Sequence, residues 1–342
     1  MVVEVYFMIR EIVKRRTHFV PRCYLKNFTF DNKQKFLFAY TRDGEVKEVS
    51  IADIAVKKNF YTFTDKITKK KTDIAENMFA ILEKSACPVI TKIIKTQNLS
   101  LNEKERGALS QFIAFLATRT LAFDIWQRNM SIEMLKQLMV ERAKNKNHLK
   151  TSFEKVGIKF GNERELEDMR QSILDFDKHF KVELKGGRGD FFKTSVQLAM
   201  DLTPIIFYKH WHLLVNNGSR VFITSDNPVP RQKARNVPSM FNSGFAFGTV
   251  IFPLSPTLCL LMRHEPLSNE IITVNRSQGE AINRSIMLFS EKFIYSNINS
   301  QDLKRMYKNI PESSATKVIV KRIKNTPYIM ATSPELDWEI IG

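Results

Sequence analysis

Cysteine is scarce in this chain: Cys23, Cys87 and Cys259 are the only three among 342 residues. The count is odd, the spacing is wide and no Cys-x-x-Cys pair occurs. That pattern speaks against a zinc cage and a disulfide framework, and fits a reducing cytoplasm. Long apolar runs are missing too. No uncharged stretch reaches about eighteen residues, so no transmembrane segment is expected. Glu4, Arg10 and Glu11 interrupt the apolar N-terminus, and no small-residue cleavage site follows, so no signal peptide is expected either. The expected location is the cytoplasm. Gly-x-Ser-x-Gly, His-Glu-x-x-His and dinucleotide fingerprints are absent, and no internal repeat or low-complexity tract appears. Acidic residues run short: 36 Asp and Glu face 53 Lys and Arg, a formal charge of +17. Such a field favours nucleic acid, an anionic surface or a phosphorylated ligand. A solvated lysine surface without any ligand has the same composition.

What is present is globular. Hydrophobic residues make up 43% and aromatics 11%, enough for a large core at this length. Residues 1–65 read as a β-rich segment: Phe36 to Tyr40 and Glu45 to Ile51 flank an Asp43-Gly44 hairpin turn, and Lys66 to Lys71 suits a hairpin tip. Residues 72–200 read as helical. Apolar residues recur at three and four from Asp73 to Lys95, with Pro88 as an interruption. Asn102 and Glu105 have the spacing of a capping box for a helix through Leu109, Phe112 and Leu116. Residues 140–162 read as a lysine-rich mobile connection, Glu163 to Phe180 as a helix and Lys185 to Asp190 as a loop. Residues 201–342 show strand grammar at Pro204–Val215, Arg220–Ile223, Phe245–Leu254, Leu258–Met262 and Thr316–Ile323, around one helix at Arg276–Phe289. The expected class is α+β, folded as one composite domain.

Two segments concentrate polar side chains beside backbone-fixing prolines. The first runs from Thr17 to Phe28 and holds His18, Pro21 and Asn27. His18 titrates near neutrality, so it suits acid–base work or metal ligation, or it simply orders the turn before Pro21. The second is Ser225-Asp226-Asn227-Pro228, a strand-end turn that either presents a carboxylate or caps its own backbone. On the helices, Glu76 and Glu83 share a face, Glu76 reading as a solvated edge. Arg119 follows an almost wholly apolar face and needs an anion. That anion is Glu83, in a structural bridge, or a ligand. His210 and His212 share a strand face without an obvious third ligand, so sheet packing is the favoured reading. Gly186-Gly187-Arg188-Gly189-Asp190 lacks the ending of a phosphate-binding loop.

Taken together, His18-Phe19-Val20-Pro21, Tyr24-Leu25-Lys26-Asn27-Phe28, Asn59-Phe60-Tyr61, the Glu76–Glu83 helix, the Arg119 segment, Ser225-Asp226-Asn227-Pro228-Val229 and Pro253-Leu254-Ser255-Pro256 resemble the DUF4238 family of bacterial proteins. The resemblance runs from about residue 17 to residue 297. It implies His18, Asn27, Glu83, Arg119, Asp226 and Asn227 as a recurring polar set, and it implies no mechanism. Where relatives often carry proline after the helical arginine, this chain has Thr120.

The leading expectation is a hydrolase acting on nucleic acid or another phosphate-bearing substrate, with His18, Glu83 and Asp226 as its catalytic set in one composite pocket. His18 would move the proton, and Asp226 would orient it or hold a divalent metal. Arg119 would neutralise an anionic group, and Asn27 and Asn227 would position the substrate. The rival expectation is a non-catalytic protein that binds nucleic acid or another polyanion, its polar set being a structural network.

Overall fold

Pro21 sets the chain's entry into the fold: at φ −63° and ψ 139° it N-caps a one-turn helix. In the computed structural model the described residues are 16–58, 60–61, 63–64, 71–72, 74–182, 188–217, 220–232, 245–311, 318–323 and 326–331. The apolar N-terminus and most of the expected Lys66–Lys71 hairpin tip lie outside them.

The chain opens with β1 (Arg16–His18), α1 (Arg22–Leu25) and a 3-10 turn over Lys26–Phe28. β2 (Phe36–Thr41) and β3 (Val46–Ser50) form the expected hairpin, whose turn needs glycine because Gly44 has φ +92°. β4 (Val56–Lys58) pairs back onto β1, and β5 (Phe63–Thr64) meets β6 (Lys71–Thr72).

Helices α2 (Ile74–Thr96), α3 (Glu103–Thr118) and α4 (Leu121–Ala143) follow. α2 runs through Pro88, which sits on an exposed face, so the interruption expected there does not break the helix. The Asn102–Glu105 capping box forms in both directions. The stretch expected as a mobile connection instead carries α5 (Lys146–Glu154). That helix packs Leu149 into a small core with Leu166 and Ile173 of α6 (Glu163–Leu174) and with Phe176 of α7 (Phe176–His179). α8 (Arg188–Phe207) begins inside the expected glycine loop and runs through Pro204, so the residues 204–207 expected as strand are helix.

The C-terminal strands are β7 (His210–Asn216), β8 (Thr224–Ser225), β9 (Arg231–Gln232), β10 (Thr249–Pro253), β11 (Leu258–Arg263) and β12 (Ile271–Val274). Residues 221–223 do not join a ladder: Phe222 N–H bonds Pro256 O, and Ile223 N–H bonds the Asn283 amide oxygen. α9 (Arg276–Phe289) has the expected bounds, followed by β13 (Phe293–Ser296), α10 (Gln301–Lys308) and a hairpin of β14 (Val318–Ile323) with β15 (Thr326–Ala331).

Two sheets organise this α+β fold. One has the order β12-β7-β11-β10-β9, antiparallel except for the β12–β7 pair. Alternate residues divide its faces. Leu213, Phe252 and Leu260 pack against α2, α3 and α8, while Leu214, Ile251 and Leu261 pack against α9. A sheet covered on both faces needs continuous apolar runs, which is how these strands read. The second sheet, β3-β2-β13-β8, joins the N-terminal hairpin to C-terminal strands. Tyr24, fully buried, stitches the first motif onto both sheets: its hydroxyl lies 2.7 Å from Thr224 Oγ1 of β8, and its ring stacks on Phe252 of β10 at 5.0 Å. Burying a ring of that size contributes about 2–3 kcal/mol.

Cys23 of α1 and Cys87 of α2 form a disulfide, 64 residues apart in sequence. This corrects the expectation of unpaired thiols: an odd, wide spacing cannot reveal that two helices cross. Cys259 is buried and free, with burial raising its thiol pKa. A maleimide should therefore label no thiol in the native protein, one after unfolding, and three after unfolding with reduction, counted by intact mass. Two labels on the unfolded, unreduced chain beyond Cys259 would remove the bridge.

Candidate functional site

The corner between α3 and α4 is where most of the recurring polar residues meet. The helices bend there by 59°, because Arg119 and Thr120 leave helical geometry and Thr120 N-caps α4 through Phe123 N–H. Tyr61 donates its hydroxyl to the Arg119 carbonyl, closing the turn.

Arg119 points one way. Its side chain is almost wholly buried; Nη2 donates to Glu83 Oε1 at 3.0 Å and Nε donates to Phe19 O at 3.1 Å. Its guanidinium also lies 4.5 Å from the centre of the Phe79 ring. Glu83 is partly exposed at the outer end of this bridge. His18 is half-buried beside it, with Nε2–H donating to Ile51 O at 3.3 Å. Burial lowers the His18 pKa, the Ile51 bond opposes that, and the charged groups acting on the ring are Arg22 and Glu83.

Thr120 points the other way. Its hydroxyl donates to Asn227 Oδ1 at 3.0 Å, and Asn227 Nδ2 donates to Phe289 O at 2.9 Å. Asp226 is 3% exposed. Its carboxylate accepts three backbone N–H groups: Glu291 at 2.8 Å on Oδ1, then Lys292 at 2.7 Å and Phe293 at 3.0 Å on Oδ2. Burial pushes its pKa up to about 6, against the pull of those three donors. It thereby holds the turn from α9 into β13.

The expected composite pocket is thus divided. His18, Glu83 and Arg119 gather on one side of the corner, while Asp226 and Asn227 are sealed on the other. Asn27 belongs to neither group and lines a separate open groove. The cavity at the corner, lined by Tyr61, Phe79 and Arg119 among others, holds about 30 Å³. That admits a water or two and not a substrate. Glu76 is half-buried near Tyr61 and is not a fully solvated edge. Among the described residues no three His, Cys, Asp or Glu side chains cluster as metal ligands. His212 is a neutral core histidine: Nδ1–H donates to Asn269 O at 2.8 Å and Nε2 accepts Leu267 N–H at 3.2 Å.

The match to a family model covers residues 16–300. The chain belongs to the DUF4238 family. That family is described as one of unknown function, so membership adds no reaction to the geometry. No match was found among curated proteins or solved structures. Within the DUF4238 match lie two structural cations that sequence reasoning missed. Lys209 is buried and donates Nζ to Ala246 O and Gly248 O, and desolvation lowers its pKa to about 8. Arg106 donates to Phe207 O and Lys209 O and covers the Trp211 ring. Each serves backbone carbonyls, so no acidic partner in the sequence could flag it. No single helix among the described residues is long and apolar enough to cross a membrane.

Proposed function

We propose that this DUF4238 protein binds nucleic acid through its positive surface, and that Glu83, Arg119, Asp226 and Asn227 of its recurring polar set hold the fold together. One observation carries the reading: the polar atoms of Asp226 and Asn227 are spent on internal hydrogen bonds, and Arg119 is spent on Glu83 and Phe19 O. Residues committed in this way position chain segments and leave no group for a substrate. The formal charge of +17 supplies the attraction. A hydrolase reading retains one supporting observation, the half-buried His18 ring, which feels the charge of Glu83.

Fluorescence anisotropy with a labelled single-stranded oligonucleotide tests the proposal. With about five phosphates neutralised, affinity should fall about 100-fold between 50 and 200 mM salt. Absence of binding at 50 mM salt would reject the proposal. Strand cleavage by the wild type, lost in a folded His18→Ala variant, would favour the hydrolase.

A further inference from the structure

The groove that holds Asn27 has the features of a ligand site. It opens beside the Lys26–Phe28 turn, measures about 400 Å³, and is walled by residues 29–32, Gln34, Ile94 and Ser255. Two separated family motifs meet here: Lys26 and Asn27 from the first, and Ser255 from the Pro253-Leu254-Ser255-Pro256 turn. Its volume falls in the range of small-molecule sites.

The backbone of the groove is fixed. Asp31 Oδ1 accepts the N–H groups of Lys35 and Phe36, each at 2.7 Å. Thr29 Oγ1 donates to Lys26 O at 2.8 Å, and Phe30 N–H donates to Phe36 O at 3.0 Å. On this rigid turn the side chains of Lys26, Asn27, Asn32 and Gln34 have no hydrogen-bond partner among the described residues. Phe30 is 40% exposed and is supported from behind by Phe38, whose ring stacks at 4.7 Å and 21°. Lys33 and Lys35 are exposed on the same turn, while the one acid, Asp31, is committed to the backbone.

We infer that this groove binds an unpaired nucleotide of a single-stranded nucleic acid. Phe30 is the stacking platform, the Asn27, Asn32 and Gln34 amides meet the base edge, and Lys26, Lys33 and Lys35 meet the backbone phosphates. A primary amide offers both donor and acceptor, as a base edge requires. A supported aromatic ring beside lysines is the means by which single strands are held, and paired bases within a duplex cannot reach it. The inference rests on the nucleic-acid reading above and locates it.

The test is anisotropy with a labelled twelve-residue oligo-thymidylate strand and with its duplex, at fixed salt. Wild type is set beside Phe30→Ala, Phe30→Leu, Asn27→Ala and, as a remote control on α5, Lys150→Ala. Phe30→Ala should weaken strand binding about 5- to 100-fold. Phe30→Leu keeps packing on Phe38 but removes the stacking face, and should lose nearly as much. Duplex affinity and Lys150→Ala should stay within about twofold of wild type. A thermal melt confirms that each variant is folded. If the strand binds wild type and all groove variants equally, or if strand and duplex lose equally, the groove is excluded while the nucleic-acid reading stands. If neither strand nor duplex binds wild type, both fall together.

Discussion

Replacing Asp226 by asparagine should destabilise the protein by about 2–4 kcal/mol at pH 7. The carboxylate accepts three N–H groups from residues 291–293 in a fully buried setting. An amide has one oxygen, so at least one of these donors would face an NH2 group and be left unsatisfied. Asp226→Ala orphans all three and should cost more. Urea unfolding checks both, with the midpoint moving and the slope unchanged. The pH dependence has a definite sign. The folded-state pKa of about 6 lies above the ordinary 3.8, so the native state takes up the proton first on acidification. This carboxyl's contribution is full below 3.8 and is lost as pH rises through 6. Wild type therefore gains stability as pH falls across that window and the asparagine variant does not, so the gap between them widens. A folded variant within about 0.5 kcal/mol of wild type would refute the structural role.

Local signals in the sequence were legible where the structure obeys local rules. The Asp43-Gly44 turn, the Asn102–Glu105 box and the bounds of the helix Arg276–Phe289 all follow from short-range chemistry. Proline misled twice, at Pro88 and Pro204. Each stands inside a helix that tertiary packing keeps continuous, and the first occupies an exposed face where its ring is tolerated. Residues 146–154 were hidden by their charge: Leu149 is the only residue of that helix fully buried, and Phe153 one turn on is the only other that packs against the same core. The run Ile205-Ile206-Phe207 fits a buried strand and a buried helix equally, and periodicity cannot separate them.

At the candidate site, residue types were legible and partners were not. His18, Glu83 and Arg119 come together, with the Glu83–Arg119 bridge among the alternatives readable from sequence. Asp226 looked like a presented carboxylate because strand-end acids often are. Its partners are backbone N–H groups some 65 residues away, which no side-chain pattern announces. Thr120 looked like a loose match and proved to be a joint, capping α4 and reaching Asn227 across 107 positions.

That joint makes Arg119 the second residue whose loss should be severe. Arg119→Met fills most of the volume but leaves the buried Phe19 carbonyl without its donor and removes the ring contact with Phe79. Expected destabilisation is about 2–4 kcal/mol. Glu83→Gln keeps an acceptor for Nη2 yet leaves the buried guanidinium without a counter-charge, a smaller but measurable loss. The double variant separates bridge from surroundings. Once Arg119 is gone, Glu83 is partly exposed and can hydrate, so Arg119→Met with Glu83→Gln should cost no more than Arg119→Met alone. A double-mutant cycle by urea unfolding reads that coupling directly. Strict additivity would mean that Glu83 and Arg119 act independently. The corner of α3 and α4 would then be held by Thr120, Asn227 and Tyr61, and Arg119 would be available to an anionic ligand.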